Sequence, residues 1–128
     1  MKSRQLRDMI KVTDAAFMAA QAKLVLLRQQ DAEIRDQLLS LRERRIGNHT
    51  GRPKQDDPAL KAGADALWLQ WIAKRQATLN AELAQLQVQK AQQFDRVKKA
   101  FGRRQTMRAL LAKSQEDARM QRDRRATE

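Results

Sequence analysis

From Leu6 to Leu41 the chain marks out positions spaced alternately four and three apart: Leu6, Ile10, Thr13, Phe17, Ala20, Leu24, Leu27, Asp31, Ile34, Leu38 and Leu41. Nine of these eleven positions are apolar. This is a heptad repeat, which keeps one narrow stripe of a helix turned towards a partner helix. So narrow a stripe does not wrap a globular core. The chain is therefore expected to be a long helical protein that works by contact with other proteins.

Composition points the same way. Aromatic residues are 4% of the 128 and charged residues 33%, too few and too many for a compact core of ordinary density. Strong helix formers dominate, and only four glycines and two prolines interrupt them. The chain has no cysteine, which excludes disulfides, thiolate metal sites and a cysteine nucleophile and agrees with a reducing cytosol. No apolar run approaches the roughly 20 residues of a membrane span. The opening MKSRQLRDMIKV lacks the apolar block of a signal peptide, so neither membrane insertion nor export by that route is expected.

One interruption organises the rest. Residues 46–58, IGNHTGRPKQDDP, hold both prolines and two of the glycines among polar turn formers, the composition of a bend. The expected fold is all-α: a long antiparallel two-helix coiled-coil hairpin with a longer second helix, forming a single elongated domain over 1–128. Helix one covers 3–45, the hairpin loop 46–57 and helix two 58–122. Arg42, Arg44 and Arg45 suit the negative end of the first helix, while Asp57 and Pro58 suit the N-cap and first position of the second.

Helix two carries its own stripe of Trp68, Ile72, Leu79, Leu83, Leu86, Phe94, Val97 and Phe101, broken by Arg75 and Lys90. Its spacing drifts towards an eleven-residue repeat after Leu86, which predicts local straightening of the supercoil. Folding about the bend is expected to set Leu38 near Leu67 and Trp68, Leu27 near Leu79, Phe17 near Val88, Ile10 near Phe94 and Leu6 near Ala100. In that register residues 105–128 form a basic overhang without an intrachain partner, a helix that frays when alone. Gly102 is then a soft point where helix two leaves its partner.

Charge is concentrated at the chain ends. Residues 1–11 carry four basic and one acidic side chain, residues 96–128 eleven and four, and the 84 residues between them twelve and ten, so most of the net +12 lies at the pole where a hairpin gathers its termini. Such a pole suits an acidic partner, protein or nucleic acid, and binding that weakens with salt. Asp31, polar on the seam, is expected to set register. His49 has no second ligand for a metal, and Asp56 and Asp57 are expected to act as turn and cap residues. No phosphate loop, nucleophile elbow or metal-ligand spacing occurs, so neither catalysis nor a cofactor is expected. Trp68 falls on the seam against Leu38, whereas Trp71 lies on its shoulder and shares one face with Arg75 and Thr78. Trp and Arg are common interface anchors.

The hairpin with its longer second helix, the segment ALWLQWIAKRQATL and the run FDRVKKAFGRRQTMRALL leading into a basic tail resemble the stalk proteins of type III export systems, the flagellar FliJ proteins and their injectisome counterparts of the YscO type. The resemblance implies a cytoplasmic, non-enzymatic stalk, peripheral to the inner membrane. One end would enter a hexameric export ATPase ring and the other would reach the membrane export gate, with export chaperones as further partners. On this chain the ATPase end maps to Arg103, Arg104, Arg108 and Lys113, and the gate contact to Trp71, Arg75 and Thr78. The chain departs from family members that present tyrosine near the tip, for it has none. Two alternatives remain. A nucleic-acid-binding coiled coil would use the basic ends on phosphates, although no aromatic follows Phe101 for base stacking. A generic dimerising scaffold or chaperone would self-associate, whereas the hairpin is expected to be monomeric when free.

Overall fold

A computed structural model describes residues 3–47 and 58–128, which form two helices, α1 (Ser3–Gly47) and α2 (Pro58–Thr127). The fold is all-α, an antiparallel two-helix coiled-coil hairpin whose second helix is the longer. His49, Asp56, Asp57 and the expected loop beyond Gly47 lie outside the described residues. Helix α1 continues through Ile46 and Gly47, and α2 continues to Thr127. Arginines occupy the last turn of both helices, Arg44 and Arg45 in α1 and Arg124 and Arg125 in α2, opposite the negative end of each dipole.

A lone helix in water is marginal, so the packed stripe must supply most of the stability. On α1 every one of the eleven heptad positions is buried or half-buried. On α2 the covered positions from Ile72 onward run Ile72, Gln76, Leu79, Leu83, Leu86, Lys90, Gln93, Val97, Ala100, Arg104, Met107, Leu111 and Ser114, in alternating steps of four and three. The expected drift to an eleven-residue repeat is therefore absent. Phe94 and Phe101, expected on the seam, flank it at 46% and 42% exposure. A seam of constant period outweighs the preference of two phenylalanines for burial, and the polar residues that fall on it find partners instead.

The contacts group into two units, one formed by Met1–Leu26 with Ala91–Glu128, the other by Leu27–Lys90. In the first, Phe17 meets Phe101 with ring centroids 5.7 Å apart and planes tilted by 55°. The Gln93 amide donates to the Ala20 carbonyl at 2.9 Å, and Leu6 borders Leu110, Ser114 and Asp117. In the second, Ile72 and Leu79 are each only 1% exposed, and Leu41 lies beside Trp71 and Leu79. Burying one such aliphatic side chain contributes about 1.5–3 kcal/mol relative to leaving it in water.

This register differs from the expected one. Phe17 packs on Phe101 rather than near Val88, thirteen residues further along α2, or about 20 Å of helix. Leu6 lies beside Leu110, not Ala100. A slip of nearly two heptads leaves the same stripes facing each other, so periodicity alone does not select between the pairings. Two further expectations change with it. Helix α2 does not leave α1 at Gly102, because Arg104 and Arg108 both reach Asp14. Of the overhang expected over 105–128, the part up to Ser114 is seam, with Met107, Leu111 and Ser114 half-buried, while 115–128 are exposed, and Ser3 and Arg7 share a cleft with Arg122 and Arg125. The excess length of α2 falls at both its ends, ahead of the Trp71 that borders Leu41 and after Ser114.

Candidate functional site

The four residues expected at the terminal pole divide by their surroundings. Asp14, one-third exposed, is the acceptor that draws two of them in. Arg108 Nη2 lies 3.3 Å from its Oδ1. Arg104 Nε approaches the same oxygen at 3.8 Å, an ion pair too long for a hydrogen bond, and this buried nitrogen has no hydrogen-bond partner among the described residues. What holds Arg104 is stacking: its guanidinium carbon sits 4.2 Å from the Phe17 ring centre and 5.4 Å from that of Phe101. A planar, weakly hydrated cation suits such a place better than an ammonium does. Arg104 is thus committed within the chain. Arg103 is exposed, and Lys113 borders a cleft of about 410 Å³ with Leu6, Leu110, Ser114 and Asp117.

The tip-proximal trio sits in the other unit. Trp71 is 47% exposed and stacks on Trp68, with centroids 5.3 Å apart and planes within 17°. The expected packing of Trp68 on Leu38 gives way to this stack, since Leu38 borders Gln76, Asn80 and Leu83. Trp71 and Arg75 share a small groove with Gln37, Leu41 and Arg44. Thr78 is not part of that groove; its hydroxyl donates to the Lys74 carbonyl at 3.1 Å.

Asp31 on the seam is 6% exposed and has three donors. Arg35 bonds Oδ1 from one turn along α1, while from α2 Gln87 Nε2 reaches Oδ2 at 2.6 Å and Lys90 Nζ at 3.1 Å. The Arg35 hydrogen bond is the main cause that holds this carboxyl below the usual range; burial opposes it and Lys90 reinforces it. The cluster joins the two helices at one point of the seam, the arrangement a register-setting polar residue requires.

Sequence reasoning did not single out a fourth cluster. At the start of α1, Ser3 and Arg7 face Ala112, Gln115, Ala118, Arg119, Arg122 and Arg125 across a cleft of about 760 Å³. Its only carboxylate, Glu116, is bound by Arg119 at 2.7 Å. The three α2 arginines recur every third residue, a signal legible in the sequence, but Arg7 joins them only in the observed register. Comparison with family models, curated proteins and solved structures finds no match. Among the described residues no helix is long and apolar enough to cross a membrane.

Proposed function

We propose that this chain is a non-enzymatic stalk of a type III protein export apparatus, linking an export ATPase ring to the membrane export gate from the cytoplasmic side. The reading is supported by one observation above the others: an antiparallel coiled coil with a longer second helix carries most of a net charge of +12 on its terminal segments. A hairpin of this kind offers a ring of subunits an asymmetric element whose contacts change as successive subunits close. On this proposal Arg103 and Lys113 meet the ATPase, Arg104 and Arg108 hold the helices together behind them, and Trp71 with Arg75 and Thr78 meets the gate. The stalk itself hydrolyses nothing.

The test is reconstitution. The chain, mixed with a type III export ATPase from the same organism, should co-elute with the hexamer and raise its hydrolysis rate, and an Arg103→Glu/Lys113→Glu variant should lose both effects while keeping its helicity. If the wild-type chain neither binds nor stimulates the ring, the stalk proposal fails. The charge also favours a second reading, a nucleic-acid-binding coiled coil. Nuclease treatment before purification decides this one: nucleic acid retained as the dominant partner would replace the stalk.

A further inference from the structure

We infer that the cleft between the first turns of α1 and the last turns of α2 is a docking groove for an acidic α-helix of a partner protein. The inference deepens the proposal above, in which the terminal pole meets a protein partner, by assigning that contact to residues other than Arg104 and Arg108.

Charge supports it first. Four guanidinium groups, those of Arg7, Arg119, Arg122 and Arg125, line one cleft, and its single carboxylate is already bound to Arg119. Arg104 and Arg108, nearer the middle of α2, are paired with Asp14. The first turn of α1 holds no acidic residue to answer the positive end of its dipole, and that turn opens into the same cleft through Ser3. Helix dipole and arginines therefore attract the same sign of charge.

Geometry then selects a helix. Ala112 and Ala118 line the cleft without bulk, so the backbone of another helix can approach there. The arginines at intervals of three match carboxylates repeated three or four apart on a facing helix. The apolar floor is thin, so affinity must come mainly from arginine–carboxylate pairs and fall steeply with salt. A second copy of this chain would bring a pole of the same sign and is repelled. Single-stranded nucleic acid finds no aromatic platform here, because none follows Phe101.

The experiment titrates the full chain with a labelled helical peptide of about 20 residues bearing glutamates three and four apart, followed by fluorescence anisotropy. Binding should weaken by about tenfold or more between about 50 and about 300 mM salt. Arg122→Glu/Arg125→Glu should weaken it by about tenfold or more, and a lysine-bearing version of the peptide should bind that variant instead. The control Arg96→Glu/Lys99→Glu makes the same change in net charge outside the cleft and should cost less than about twofold. Equal losses in the two variants, or no binding at all, would overturn the groove. So would tighter binding, at equal charge, of a single-stranded oligonucleotide or a phosphatidylserine vesicle that Arg122→Glu/Arg125→Glu abolishes. The titration contains no ATPase, so its outcome is separate from that of the stalk. A bound peptide with an indifferent ring removes the stalk alone, and a bound ring with an indifferent peptide removes the groove alone.

Discussion

Asp31 carries the clearest pH signature in the molecule. Its carboxyl is held below the usual range mainly by Arg35, so the folded chain releases this proton more readily than the unfolded chain does. The stabilisation is present above the unfolded value near 3.8 and is lost as pH falls through the lower folded value. Thermal unfolding followed by circular dichroism should show an acid limb below about pH 4 that Asp31→Asn flattens; an unchanged limb would place the titration elsewhere. Arg104 is a packing residue as much as a charged one. Arg104→Lys keeps the charge but loses the stack on Phe17 and should cost about 1 kcal/mol, whereas Arg103→Lys, at an exposed position, should cost almost nothing. Gly102 has open space where a side chain would begin, so Gly102→Ala should raise the unfolding free energy by up to about 1 kcal/mol. A drop in the midpoint would mean that the glycine serves some purpose beyond filling a helical position.

Along each helix the seam is continuous, but not by composition alone. Leu79→Ala removes a side chain 1% exposed and should cost about 2–5 kcal/mol, while Leu67→Ala, at 69% exposure, should cost less than about 0.5. Gln93 is the informative exception. It is 3% exposed, its amide nitrogen serves Ala20, and its oxygen has no partner among the described residues. Replacing it by leucine removes that orphan and should be neutral or stabilising. The same change should loosen register, since a seam made only of apolar residues fits itself equally well after a slip of seven or fourteen. The chain has no native cysteine, so pairs introduced for spin labelling report register cleanly. Labels replacing Arg7 and Gln115 should lie close together in the parent chain, and the distance distribution should broaden once Asp31, Lys90 and Gln93 are all leucine. A single sharp distance in that triple variant would show that the polar residues do not select the pairing.

For the molecule taken together, charge and pairing have to be considered jointly. The excess of basic residues near both ends is plain in the sequence, yet which arginines remain available depends on which ones the partner helix takes up. Asp14 and Phe17 engage Arg104 and Arg108, two of the residues that the resemblance to export stalks marks for the ATPase. Arg7 joins Arg119, Arg122 and Arg125 although more than a hundred residues separate it from each of them. The proposed groove therefore owes its existence to a pairing thirteen residues away from the expected one.

The helical class, the two-helix hairpin, the stripe on α1 and the polarity of charge were all legible in the linear chain, because each depends on short-range period, turn chemistry or a count of charges. The stripe on α2 was legible only in part. Arg75 and Lys90 read as breaks in it, Gln93 and Arg104 do not read as part of it, and nothing local reveals that Asp31, the Ala20 carbonyl and the ring of Phe17 wait opposite Lys90, Gln93 and Arg104. Register was decided in three dimensions. A heptad pattern matches itself at every seventh residue, and the few polar and aromatic contacts that distinguish one match from the next exist only once the two helices lie side by side.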